Sequence, residues 1–397
     1  GIRIAGAHEQ LDELLHLLKV PALVSWSGID MVDSRHPFVY GRAGVYGQRA
    51  ANFILQNCDF LLTIGTRLAI PQVGYDIAEL ARAARIAVVD IDQTELAKYP
   101  DRFDYTICSD AGEFLTRLRS HAEDFPISPQ QEWIAQCDSY RSAFPWVGPE
   151  HADSGQFMNS YRIMDRLNNH LRPDQIIVTD MGTALLSSHQ ALQIKPPQRL
   201  MTSLGLGEMG FGLPGAIGAS FATGRGEVLC LNCDGGMMMN LQELQTIVHY
   251  HLPIKIIVFN NDGYLMIKHT QNSLFKGRYS GTNAQTGVRC PDFSALATSL
   301  GMPSFQIRGW DDFDQHLAEF QSVDGPAICE LFTHPEQPLV PKLSLAIDER
   351  GTIVSPPLED LSPLLRRDEL HKHMLVGMHV KSRDLTAPVE SNERSLP

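Results

Sequence analysis

Leu231-Asn232-Cys233-Asp234-Gly235-Gly236, answered downstream by Ile254-Lys255-Ile256-Ile257-Val258-Phe259-Asn260-Asn261-Asp262-Gly263, decides how this chain reads. An apolar run, Glu227 to Leu231, leads straight into an aspartate and two glycines. Leu241 to His251 carries a helical pattern, and Ile254 to Phe259 is a second apolar run that ends on two asparagines. The pattern predicts a β-α-β unit with a carboxylate at the end of one strand and carboxamides at the end of the next. In a parallel sheet both ends lie on one edge, the edge where open α/β sheets bind ligands. Oxygen ligands, glycines and a helix N-terminus in one place suit a divalent cation holding a diphosphate.

Each part has a physical reason. Asp234 offers an anionic oxygen and Asn261 a neutral carbonyl oxygen. Magnesium takes octahedral oxygen at about 2.1 Å and keeps waters and substrate phosphates, so few protein ligands suffice. Gly235 and Gly236 let the backbone approach a phosphate closely. Asn240 is expected to cap the following helix, with Glu243 completing a capping box, and the helix dipole then favours a nearby anion. From these short motifs alone, an ordinary Asp-Gly strand-to-helix turn reads equally well.

Composition narrows the classes. At 397 residues the chain is too long for one core, which predicts two or more domains. A net charge of −13 and no long basic run argue against nucleic-acid binding. The longest apolar stretches are strand-length, so no membrane span is expected, and the N-terminus lacks a signal-peptide pattern. Seven scattered cysteines fit a reducing, cytoplasmic setting better than a disulfide framework. Cys230 and Cys233, three apart on a strand, point to opposite faces and make a poor metal or redox pair.

Strand and helix patterns alternate along the chain, so the fold class is α/β: two doubly wound parallel-sheet domains with a C-terminal tail. Residues 1–122 form the first, with strands Ala22–Trp26, Phe60–Ile64, Ile86–Asp90 and Asp104–Cys108 and helical segments Gln48–Gln56 and Ile77–Ala84. Residues 123–150 read as a linker, 151–335 as the second domain, and 336–397 as a C-terminal arm and tail. Lys381 to Pro397 lacks apolar periodicity and is expected to be disordered. Asp90 and Asp92, at a strand end, suit a ribose hydroxyl; a capped turn is the preferred reading, because the glycine pattern there is weak.

Asp234-Gly235, followed 27 positions after the aspartate by Asn261 within Asn260-Asn261, resembles the cofactor motif of thiamine diphosphate-dependent enzymes. That motif normally reads Gly-Asp-Gly; here Cys233 replaces the first glycine and puts a side chain close to the diphosphate turn. Met237 to Leu244, Leu252 to Lys255 and Gly205 to Pro214 look like the acetolactate synthase branch, and Val354 to Asp360 resembles its C-terminal arm. The resemblance runs from residue 1 to about residue 370.

It implies thiamine diphosphate and Mg2+ as cofactors. Asp234, Asn261 and the carbonyl of Gly263 would hold the metal, side-chain identity at 263 mattering little. Gly182, Thr183, Ala184, Gly235 and Gly236 would surround the diphosphate, Asp180 either lying in that turn or capping the helix after it. Backbone groups of Gly207 and Met209 would flank the aminopyrimidine, Met239 would wedge the bent cofactor, and Met266 would border the substrate. In some relatives the first domain, the central one, binds FAD or a nucleotide; FAD is not favoured here.

The implied activity is decarboxylation of a small 2-keto acid, pyruvate by default, with transfer to a second carbonyl. Benzoylformate decarboxylase, glyoxylate carboligase and oxalyl-CoA decarboxylase types stay open, as does a non-catalytic or regulatory relative that binds a nucleotide. Relatives carry an N-terminal domain whose glutamate protonates the pyrimidine ring. This chain opens at what looks like the start of the central domain, so no catalytic acid is assigned among residues 1–397. The chain alone is therefore expected to bind diphosphate and metal yet turn over poorly. A homo-oligomer, dimer or tetramer, or a separate pyrimidine-domain chain is the expected partner, because in relatives neighbouring subunits share the cofactor.

Overall fold

The computed structural model describes residues 1–126, 128–347, 353–383 and 385. The chain divides into two compact units, Gly1–Trp146 with Val340–Pro397, and Val147–Leu339. Among the described residues no helix is long and apolar enough to cross a membrane.

In the first unit β1 (Phe60–Ile64), β2 (Arg85–Asp90) and β3 (Tyr105–Cys108) form a parallel sheet in that order. The helix Arg49–Asn57 is buried along its whole length, since Phe53 meets Tyr140, Leu370 and Met374 in one core. Tyr140 belongs to the helix Gln131–Ala143, so the stretch read from sequence as a linker contributes a packed element. The segment beyond Val340 also returns to this unit. Asn52 Nδ2 donates to the Leu358 carbonyl (2.6 Å), Arg49 Nη1 to that of Leu361 (3.0 Å), and Gln56 Nε2 to the Glu359 carboxylate (2.7 Å). Of the expected disordered tail, Lys381 to Arg383 lie in a short helix, Val380–Arg383, and residues 386–397 lie outside the described residues.

Two expectations fail here. Ala22 to Trp26 is not a strand of the sheet. Its Val24 amide donates to Gly41 (3.0 Å), but pairing is limited to a single bridge, Ala22 with Val39, before the chain winds into a 3-10 turn at Trp26–Gly28. Ile77 to Ala84 forms only the 3-10 turn Ile77–Glu79, since Ala81 adopts a left-handed φ of 41° that a helix cannot continue.

The second unit holds six parallel strands: β4 (Ile176–Thr179), β5 (Arg199–Met201), β6 (Val228–Cys233), β7 (Ile254–Asn260), β8 (Ser304–Ile307) and β9 (Ala327–Phe332). Their order is β5-β4-β6-β7-β9-β8. The runs β6 and β7 are apolar almost throughout because both faces of the sheet are covered. Val228, Cys230, Ile254, Ile256 and Val258 share one core with Leu213, Leu244, Ile247 and Phe293. The chain passes from β4 outward to β5, then returns to β6 on the other side of β4. Strand order reverses there, which opens a crevice at the C-terminal strand ends. Cys233 pairs with Phe259, so Asp234 and the two asparagines emerge at the same level.

Candidate cofactor and metal site

Asp234 opens a four-residue helical turn, Asp234–Met237, directly after β6, and is fully buried. Its Oδ1 accepts from the Gly235 amide (2.7 Å), and its Oδ2 from the amides of Asn261 (3.0 Å) and Gly263 (2.9 Å). One carboxylate therefore ties the ends of β6 and β7 together. Burial pushes its pKa up to about 6, against the opposing effect of those three amides.

The Asn261 side chain completes a three-oxygen corner. One end of its amide lies 3.3 Å from Asp234 Oδ1 and 2.6 Å from the Gly263 carbonyl oxygen; the other lies 2.9 Å from Thr183 Oγ1. With nitrogen at the inner end, the amide donates to both oxygens. With oxygen at the inner end, three oxygens converge, the donor set a hard cation takes. The Thr183 hydroxyl can donate or accept, so it satisfies the outer end in either orientation. The residues present thus fit a divalent cation.

The loop carrying the third oxygen is held from behind. Asp262 has a left-handed φ of 55°, and buried Lys268 donates to the carbonyls of Asn261 (3.2 Å), Asp262 (2.8 Å) and Pro335 (3.2 Å). Behind Asn260, the buried carboxylate of Glu330 accepts from Asn260 Nδ2 (2.7 Å) and Gln306 Nε2 (3.1 Å), and burial pushes its pKa up. The identity of residue 263 does matter, contrary to the sequence reading: its φ is 114°, and a Cβ there would run into the Thr282 carbonyl oxygen.

The turn after β4 closes the site from the other side. Gly182 precedes the helix Thr183–Ala191, and the Ala184 amide points at Cys233 Sγ (3.3 Å). The cysteine that replaces the family glycine is thus wedged against this turn, its thiol pKa pushed up by burial. Asp180 neither caps that helix nor stays free: it accepts from the amides of Met181 (2.5 Å), Gly210 (3.0 Å) and Gly212 (3.2 Å). It therefore pins the Gly207–Met209 loop to the end of β4. Asp180→Ala leaves the buried Gly210 and Gly212 amides without an acceptor, and is expected to cost about 3 kcal/mol of stability. Guanidinium unfolding of the variant checks this, and faster proteolysis within residues 203–210 should accompany it.

Close approaches show which of the remaining candidates meet. A Cβ on Gly207 would lie 2.7 Å from Met181 Cε, one on Gly210 2.6 Å from Met239 Cβ, and one on Gly235 3.2 Å from Met209 Cε. Met209 therefore neighbours Gly235, and Met239 neighbours Gly210, while Gly207 packs against Met181. Gly235 and Gly236 are also tight against the protein itself: a Cβ on Gly235 would fall 2.5 Å from the Tyr264 ring, and one on Gly236 2.8 Å from Asp180 Oδ2. Met266, half-buried, is the second residue of the helix Leu265–Phe275 that leaves the loop. Asn240 does not cap. The helix begins only at Glu243, past a turn, and Asn240 Nδ2 donates instead to the Gly210 carbonyl (2.6 Å). Thr183 as the partner of Asn261, Lys268, Glu330 and the true role of Asp180 carried no motif that sequence reasoning could use.

Elsewhere, Asp90 accepts from the Asp92 amide (3.0 Å) and Asp92 from that of Thr94 (2.8 Å), so both carboxylates serve a capped turn. Asp12, His16 and His36 bring three ligand atoms within 4.8 Å of one another. His36 Nδ1 accepts from the Phe38 amide (3.2 Å), which places the proton of the neutral ring on Nε2, facing His16 Nε2 at 3.2 Å. That arrangement is a hydrogen-bonded pair.

Residues 180–331 match the C-terminal TPP binding domain of thiamine pyrophosphate enzymes, and residues 1–118 match their central domain. The chain belongs to the thiamine pyrophosphate enzyme family. Within that family it is similar to the acetolactate synthase isozyme 2 large subunit of Escherichia coli (strain K12), 31% identical over 82% of this chain and 57% of that protein. The acetolactate synthase large subunit of Porphyra purpurea is 30% identical over 89% of this chain and 60% of its own length. A probable acetolactate synthase large subunit of Methanococcus aeolicus is 30% identical over 85% and 58%. The chain thus spans 57–60% of the length of these relatives.

Proposed function

We propose that this chain holds the diphosphate of thiamine diphosphate through Mg2+ bound by Asp234, Asn261 and the Gly263 carbonyl. The enzyme it serves decarboxylates a 2-keto acid, pyruvate by default, and transfers the two-carbon unit to a second carbonyl. One observation carries the reading: the Asp234 carboxylate, the Asn261 amide and the Gly263 carbonyl meet where the neighbouring strands β6 and β7 end, beside the crevice between β4 and β6. The acetolactate synthase relatives support the reaction class. When bound, the cofactor supplies the carbon–carbon bond chemistry, and the protein supplies binding, orientation and electrostatics.

In this reading Asp234 neutralises the cation, and Thr183 keeps the Asn261 amide aimed at it. Backbone groups of Gly182–Ala184, Gly235 and Gly236 face the diphosphate. Gly207 and Met209 flank the aminopyrimidine on the loop that Asp180 pins. Met239 would pack against the cofactor between its two rings, and Met266 would border the substrate. Titration calorimetry of the full chain with thiamine diphosphate tests this: binding that requires Mg2+ is expected. Binding of FAD or ATP without thiamine diphosphate binding would favour a nucleotide-binding relative instead.

The pH dependence has a definite sign. Cation binding uses ionised Asp234, so Mg2+ affinity should fall as the pH drops through about 6. For the cation-free chain the effect on stability runs the other way. The folded state holds this proton more tightly than the unfolded one, whose carboxyl titrates near ~4. The stabilisation is therefore full below that value and lost as the pH rises through about 6. Thermal melts a unit above and a unit below should show Mg2+ raising the midpoint only at the higher pH.

A further inference from the structure

We propose that Lys268 is the positioning residue of the cation site, an inference that rests on reading Asp234, Asn261 and Gly263 as its ligands. Lys268 is 4% exposed and stands in the first turns of the helix Leu265–Phe275. Its ammonium has three protons, and three carbonyls take them: Asp262 at 2.8 Å, Asn261 at 3.2 Å and Pro335 at 3.2 Å. Two of these belong to the metal loop. Lys268 thereby draws the carbonyls of 261 and 262 to the back of the loop, and the Gly263 carbonyl is the one left at the Asn261 amide, 2.6 Å away. It also holds Asp262 at its left-handed φ of 55°, a conformation that residues with a Cβ adopt only rarely. Pro335 lies just beyond β9, so one side chain staples helix, loop and strand exit together.

Two effects of this lysine oppose each other. Its positive charge lowers the affinity of a nearby cation; its grip on the loop raises it by presenting the ligands. Partners that orient metal ligands are typically worth 10–100-fold in metal affinity. Partly screened repulsion between two charges that are both bound to oxygens is smaller, so positioning wins. The sign of the mutational effect separates the two, since a lysine acting only through its field would bind the cation better when removed.

The test is Mn2+ binding to the full chain, read from the EPR signal of free Mn2+, for the parent, Lys268→Met and Lys255→Met. Lys255 is the control: it too is buried, with its ammonium on the carbonyls of Val323 and Gly325, but it sits at the opposite end of β7. Lys268→Met should weaken Mn2+ binding about tenfold, while Lys255→Met should lower the melting midpoint with affinity unchanged. Equal or tighter binding by Lys268→Met, or an equal loss in Lys255→Met, overturns the assignment. If Lys268→Met fails to fold, Lys268→Arg keeps the charge but spreads its donors over a plane. It should bind Mn2+ several-fold more weakly, and unchanged affinity again overturns the assignment. A parent chain that binds no Mn2+, or Asp234→Asn binding it as the parent does, overturns the ligand assignment itself.

Discussion

Asp234→Asn is expected to lower the Mg2+-dependent affinity for thiamine diphosphate at least a hundredfold, about 3 kcal/mol. Asp234 is the anionic member of the three-oxygen corner; Asn261 and Gly263 supply neutral oxygens. The substitution also harms the strand ends. Three backbone amides, from Gly235, Asn261 and Gly263, converge on the carboxylate. An asparagine offers one oxygen for them, and its NH2 group must face one or more of those amides. Burying an ionised group in the cation-free chain is itself unfavourable, as the raised pKa of Asp234 records. Its removal therefore recovers part of the folding cost, and the loss should show in binding far more than in the melting midpoint. Calorimetry at fixed Mg2+ reads it; affinity within threefold of the parent would sink the metal assignment.

Gly263→Ala should be the most damaging single methyl group in the second unit. The added carbon meets two penalties at once: a φ of 114°, which side chains rarely adopt, and collision with the Thr282 carbonyl oxygen. That carbonyl cannot retreat freely, because it accepts from the Tyr264 amide (3.0 Å) and Thr282 Oγ1 is held by Gln271 (3.2 Å). Backbone strain of 1–3 kcal/mol and overpacking of similar size give a destabilisation of about 3–5 kcal/mol. Chemical denaturation measures it, and a loss under about 1 kcal/mol would show that the loop adapts. Any folded variant should also have lost cation affinity, since the carbonyl of residue 263 is one of the proposed ligands.

The scaffold of the site was legible because it is written in side chains and periodicity. Apolar runs of strand length, an aspartate after one and asparagines after the next, located β6, β7 and the corner between them. The thiamine diphosphate resemblance rested on the same letters. What stayed hidden was carried by backbone groups, which no letter reports. Asp180 read equally as part of the diphosphate turn or as a helix cap; its amide partners, Gly210 and Gly212, lie thirty residues on and become visible only when the loop folds back. Lys268 binds carbonyls alone, and any residue has a carbonyl. Asn240 and Glu243 matched a capping box by spacing, but a turn after Met237 used the residues before the helix could. The same holds for residues 131–143, where the hydrophobic stripe is weak and burial of Cys137 and Tyr140 against a neighbouring helix decides the structure.

Asp234, Asn261 and the Gly263 carbonyl are proposed to hold one divalent cation together. Anomalous diffraction from crystals of the full chain grown with Mn2+ and thiamine diphosphate tests it most directly. One strong Mn2+ peak is expected within about 2.2 Å of oxygens from all three residues, with the Asn261 amide oxygen turned inward. Thiamine diphosphate bound with no Mn2+ peak at this corner, or Mn2+ bound elsewhere in the chain, would contradict it.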